Sequence, residues 1–162
     1  MVLGLFRGFH NKKSIYYLLQ SIEITGGLSF FTLSMNIFYL SHDPAECARF
    51  HVDRHSTKMV LEYAQLLSTA HRVLDGTLSV GLSETGRKQT RYVLSSDLDT
   101  VLYRSTHINH PSAVWVRQSD KNYLWLANML VALCEEYTHR YTKTHKVERD
   151  GLCYVLLKNI PH

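Results

Sequence analysis

The spacing of apolar and polar residues predicts a mainly helical chain. IYYLLQSIEI, within residues 1–34, reads as a weak amphipathic helix or strand, and the Gly-Gly pair at 26–27 breaks it. MNIFYL at 35–40 is aromatic and branched and predicts a short N-terminal strand. HDPAE follows. Asp43 suits an N-cap, Pro44 the first helical position, and Glu46 a capping box, so a helix is expected from about 44. It runs to Leu74 or breaks near Asp53, and Gly76 stops it. LSVGL and TRYVLS around the polar ETGRKQ predict a β hairpin over 77–94. Short helices are expected over 97–103 and 111–117, with an irregular THINHP turn between them. Ser119 then caps a long amphipathic helix over about 120–143. The tail DGLCYVLLKNIP holds one strand-like run.

The expected fold class is therefore mainly α: a single compact helical domain over 35–162, with a short N-terminal strand and a minor β hairpin. Residues 1–34 are read as an N-terminal extension, because Met35 is a plausible start codon. The 162 residues, 45% hydrophobic and 20% charged, suit one globular domain. The formal charge of +4 and ten histidines are compatible with a polyanion partner without demanding one. Three cysteines with no CxxC spacing read as reduced thiols rather than a disulfide frame. Residues 24–41 lack formal charge, but Gly, Ser, Thr and Asn interrupt them, so no membrane span is expected. Nor does the N-terminus follow the order of a secretory signal. The expected location is the cytoplasm, that of the host if the chain is viral.

One stretch stands out chemically. At 100° per residue, His51, His55, Lys58, Glu62 and Gln65 fall within roughly 80° of arc, on a helix that is otherwise apolar nearly all round. A solvated stripe with a Lys58–Glu62 ion pair is the plain reading. The sharper one is a polar seam lining a cleft, because it is narrower than an ordinary exposed face and holds a carboxylate, imidazoles and an amine. A second cluster is His107 and His110, then Trp115, Arg117, Lys121, Asn122, Tyr123 and Trp125. Aromatics interleaved with basic groups suit base stacking and phosphate contact, although each tryptophan taken singly suits a core. Glu136 and Arg140 read as a structural i, i+4 pair. The histidines could hold a transition metal with Asp53 or Glu62, but HExxH is absent. Phosphate-loop, dinucleotide-binding and nucleophile-elbow motifs are absent too.

Two stretches, DPAECARFHVDRHSTKMVLEYAQLLSTAHRVLDG and THINHPSAVWVRQSDKNYLWLANMLVALCEEYTHRYTKTHK, resemble a group of largely uncharacterised phage proteins that begin at the equivalent of MNIFYL. Those proteins continue past the end of this chain, which implies a missing C-terminal piece. In layout, the chain more distantly resembles the phage pyrimidine-dimer DNA glycosylases with abasic-site lyase activity. Their helix carries a His and, seven residues on, a catalytic Glu, as His55 and Glu62 do here. His110 and the 115–140 region stand for a later His and an aromatic-rich helix.

The resemblance implies Glu62 as catalytic carboxylate, His55 as a DNA-contacting neighbour, and double-stranded DNA as partner. It further implies a nucleophilic α-amine. That amine could only be Asn36, in a chain started at Met35 and trimmed of its methionine. Gln65 departs from the family, which places a basic residue there. His51, Lys58, His107, His110, Arg117, Lys121 and Asn122 would contact nucleic acid, and no cofactor or metal is expected. The alternatives are a metal-dependent hydrolase or nucleotide-modifying enzyme built on the histidines, and a non-enzymatic nucleic-acid-binding protein.

Overall fold

Asp43 opens the first helix much as its sequence suggests. In the computed structural model, which describes residues 35–82 and 84–162, its carboxylate accepts the Ala45 N–H at 3.1 Å and Pro44 takes the first turn. Glu46 does not complete a capping box; the Ser41 hydroxyl donates to its carboxylate instead. This helix, α1, spans Pro44–Arg49, and the chain breaks before α2, Asp53–Leu74. The hairpin follows as β1, Thr77–Leu82, and β2, Lys88–Val93. Then come α3, Leu98–Val101; α4, Pro111–Val116; α5, Asp120–Tyr141; α6, Lys146–Arg149; and α7, Leu152–Lys158. The readings of IYYLLQSIEI and the Gly-Gly pair lie outside the described residues.

The two long helices, 22 residues and about 33 Å each, form the frame. α5 begins where the Ser119 hydroxyl accepts the Asn122 N–H, and ends on Thr142 in a left-handed conformation (φ 54°). α2 and α5 pack on each other, α1 and α7 pack on α5, and α4 packs on α2. Between them lie Met59, Tyr63, Leu66, Leu67, Leu126, Met129, Leu130, Leu133 and Leu156, all fully buried. No helix among the described residues is long and apolar enough to cross a membrane.

Two local expectations are corrected. Residues 35–40 are extended but form no strand, because no neighbouring strand offers a ladder. Side chains satisfy them instead. The Phe38 N–H donates to the Tyr63 hydroxyl (3.2 Å), the Leu40 N–H to Cys47 Sγ (3.3 Å), and Cys47 Sγ–H donates back to the Phe38 carbonyl (3.0 Å). The tail is helical rather than strand-like: Leu152, Cys153 and Leu156 recur at helical spacing and are buried. Gly151 at φ 76°, a backbone region that costs a residue with a Cβ, turns the chain into that helix.

The hairpin stands clear of this core. β1 and β2 pair antiparallel with Thr77 opposite Val93 and Leu82 opposite Lys88. Every residue of β1 is exposed. Leu78, Val80 and Leu82 share one face of the ribbon; Ser79 and Gly81 share the other, opposite Arg91 and Gln89.

Arg72 ties the hairpin and the 98–103 segment to α2. Its guanidinium, buried at the end of the helix, donates to the carbonyls of Tyr103 (2.6 Å), Tyr92 (3.0 Å), Asp99 (2.9 Å) and Leu102 (2.8 Å), and to the Asp99 carboxylate (2.6 Å). The Leu94 N–H and then Arg72 hold the Asp99 carboxyl below its usual pKa. Gly76 is required beside this anchor, since a Cβ there would collide with the Arg72 carbonyl oxygen.

Candidate functional site

The seam is present, but only in part. His51 precedes α2, so helical periodicity does not apply to it, and its exposure is 3%. It belongs to a closed relay. Phe38 N–H donates to the Tyr63 oxygen, Tyr63 O–H donates to His51 Nε2 (2.8 Å), and His51 Nδ1–H donates to the Cys47 carbonyl (2.9 Å). Both ring nitrogens are thereby used by a neutral imidazole. The expected nucleic-acid contact from His51 is corrected to a structural role.

Burial, ahead of the charges of His55 and Arg140, lowers the His51 pKa from 6.5 to about 4. The folded state therefore binds this proton less readily than the unfolded chain. The stability that follows is complete above pH 6.5 and is lost as pH falls toward 4. The urea midpoint should fall between pH 7 and pH 4.5, with roughly 2 kcal/mol of that dependence due to His51. His51→Gln should flatten the profile.

The rest of the seam is α2 proper. Lys58 Nζ meets Glu62 Oε1 at 2.9 Å, with the Lys58 side chain 45% exposed and that of Glu62 only 8%. The other Glu62 oxygen, Oε2, is buried and has no hydrogen-bond partner among the described residues. His55 stacks face to face on Phe38, centroids 4.7 Å apart, so the 35–40 segment forms one flank of the seam. Burial, then Lys58 and Arg54, lower the His55 pKa, so its imidazole is neutral at neutral pH. Asn36 is half-buried in the same extended segment.

The second cluster sits on the same side of α2. Thr69, seven residues beyond Glu62, lies at nearly the same angle around the helix and about 10 Å further along it. Its hydroxyl exchanges hydrogen bonds with the Thr106 backbone, at 3.2 Å to the N–H and 3.4 Å to the carbonyl. The loop carrying His107 and His110 is thus anchored beside the seam.

Much of that cluster has structural work. His110 Nδ1 accepts the Ser112 N–H and caps α4. Arg117 Nη1 donates to the Ile108 and Ala113 carbonyls (2.7 and 3.1 Å), closing the loop on α4. The Asn122 amide donates to the Trp115 carbonyl at 2.8 Å. Trp115 and Trp125 pack edge to face on each other, and Trp125 also packs on Tyr39 (4.7 Å). These contacts give Asn122 and Arg117, expected to meet nucleic acid, structural partners within the fold, and seat both tryptophans on neighbouring rings. His107, at φ 48°, and Lys121 remain exposed.

Three structural polar groups were missed or underread. Arg72 is one. Buried His71 is another: its Nε2 lies 2.9 Å from the Tyr123 hydroxyl and 3.1 Å from the Asn159 carbonyl, and its Nδ1 lies 3.1 Å from Asp75. Arg140, read only as a partner of Glu136, also donates to the His51 and Arg49 carbonyls (2.6 and 3.0 Å). It thereby bolts α5 across the α1–α2 break. Only the i, i+4 spacings of His71 to Asp75 and Glu136 to Arg140 hint at these in the sequence. All three cysteines are free and buried.

No three His, Cys, Asp or Glu side chains among the described residues gather closely enough to hold a metal ion. The chemistry present at the seam is thus a carboxylate with one free oxygen, an amine in contact with the other, and a neutral imidazole nearby. Compared with known protein families, with curated proteins and with solved structures, the chain matches none.

Proposed function

We propose that residues 35–162 form a DNA-acting enzyme of base-excision type, a glycosylase or abasic-site lyase, in which Glu62 moves the protons. The observation that carries this reading is Glu62 Oε2, buried without a donor while Lys58 holds Oε1 at 2.9 Å. A buried polar atom left unpaired costs folding about 1–3 kcal/mol, and such atoms call for an explanation in chemistry. A lone pair unoccupied by any donor is what a general base needs.

The reaction also requires an amine. Asn36 carries no free α-amine while residues 1–34 precede it. The amine beside Glu62 is Lys58 Nζ, and it fits the nucleophile's part. It passes its proton to Glu62 Oε1, adds to C1′ of the opened abasic sugar, and forms an iminium as Glu62 returns that proton to the departing water. Glu62 Oε2 takes a proton from C2′, and the 3′ phosphate leaves by elimination. Exposed Lys121 and His107 suit contact with flanking phosphates of double-stranded DNA. The full chain's charge of +4 is compatible with the same partner, through binding that weakens with salt.

Borohydride reduction on a duplex with one abasic site tests this. The 162-residue chain should give a covalent protein–DNA adduct that survives chelator and disappears in Lys58→Ala. An adduct that persists in Lys58→Ala, and forms only in a chain beginning at Asn36, moves the nucleophile to the α-amine. Absence of an adduct from both chains overturns the lyase reading.

A further inference from the structure

A hollow whose lining does not include Glu62 lies on the polar face of the hairpin. It is a half-open hollow of about 490 Å³, within the range of small-ligand sites, lined by Ser79, Gly81, Gln89, Arg91 and Arg104 together with Leu82, Glu84 and Thr85 near the turn. A neighbouring hollow of about 240 Å³ shares Arg91 and Arg104 and includes Arg72 and Asp99. The register explains the convergence. Ser79 opposite Arg91 and Gly81 opposite Gln89 put four consecutive polar or small positions on one face, while Leu78, Val80 and Leu82 take the other. Gly81 leaves the hollow open: a Cβ built there meets nothing within 4 Å.

The charges in this region are unequal. Asp99 is already occupied, by Arg72 at 2.6 Å and by the Leu94 N–H at 2.9 Å. Arg72 spends its donors on that carboxylate and on backbone carbonyls. The side chains of Arg91 and Arg104 are exposed, and the charge of Arg91 adds to the field on Asp99 after that of Arg72. Two exposed guanidinium groups thus line a hollow whose one acid among the lining residues is Glu84. Guanidinium pairs match phosphate oxygens with paired N–H donors, and two such groups suit a doubly charged oxyanion better than a single carboxylate.

We propose that this hollow binds the phosphate of a nucleotide unit between Arg91 and Arg104, with the Ser79 hydroxyl and Gln89 amide meeting the polar edges of the sugar or base. The site is independent of Glu62 and does not rest on the proposed lyase chemistry.

Calorimetric titration of the full chain with 5′-AMP, and with adenosine as the uncharged control, tests it. AMP should bind saturably and at least about tenfold more tightly than adenosine. Arg91→Ala and Arg104→Ala should each weaken AMP by about tenfold or more, with unchanged circular dichroism, since both side chains are exposed. Gly81→Phe, which keeps both arginines and fills the hollow, should abolish binding. Glu62→Gln should leave it unchanged, so the hollow stands or falls apart from the lyase site. Competition by oligothymidylate that is lost in the same arginine variants would make the phosphate that of a nucleic-acid strand; no competition would make it that of a free nucleotide. AMP binding no tighter than adenosine, or unmoved by the arginine substitutions, overturns the proposal.

Discussion

Replacing Arg72 with Met is expected to destabilise the protein by about 3–5 kcal/mol, the range for breaking a buried charged network by removing one partner. Four backbone carbonyls would lose their donor at once: Tyr92, Asp99, Leu102 and Tyr103. Methionine fills much of the volume, so the loss is one of hydrogen bonds rather than of packing. Arg72→Lys should recover little, because one ammonium cannot reproduce the guanidinium fork that spans these acceptors. Thermal unfolding followed by circular dichroism reads the effect, and a melting point lowered by roughly 10–20 °C is expected. The AMP site should weaken in the same variant, since Arg72 fixes β2, which carries Arg91, and the 98–103 segment, which leads directly into Arg104.

The largest functional effect is expected at Glu62. Glu62→Gln preserves shape and the approach to Lys58, but removes the basic oxygen. If Glu62 Oε2 takes the C2′ proton, strand scission at an abasic site should fall by at least about 100-fold, the lower limit for losing a general base. Affinity for the same duplex should change little, because Glu62 is buried against Lys58 and offers phosphate no contact. Single-turnover cleavage assays separate the two quantities. Equal losses in cleavage and affinity would instead place Glu62 in a binding or folding role.

How much of this was legible beforehand depends on the reach of each signal. Helix starts at Asp43, Pro111 and Ser119 are local chemistry, a side chain meeting an N–H two or three residues on, and they could be read directly. So could Lys58–Glu62, an i, i+4 pair on one helix. His51 was misplaced because the helical period was carried across a break that Phe50 and Val52 do not announce. The tail misled for a related reason: CYVLL suits a buried strand and a buried helix alike. Arg72 left no trace, since its partners lie 20 to 31 residues away and most are backbone carbonyls, which any residue supplies. Arg91 and Arg104 come together only through the hairpin register and the loop after α3, so no spacing marks them.

Equilibrium urea unfolding of Glu62→Met, compared with the unaltered protein, needs no substrate and bears directly on whether Glu62 is kept for chemistry at a cost to folding. Methionine matches the side chain in length and helix propensity. The substitution gives up one ion pair to a half-exposed lysine, worth about 0–1 kcal/mol, and removes a buried oxygen without a donor, which costs about 1–3 kcal/mol. The midpoint should therefore rise, with stability greater by about 1–2 kcal/mol. A midpoint that falls by a similar amount would show that Glu62 holds the fold together, and the case for a catalytic carboxylate on α2 would be lost.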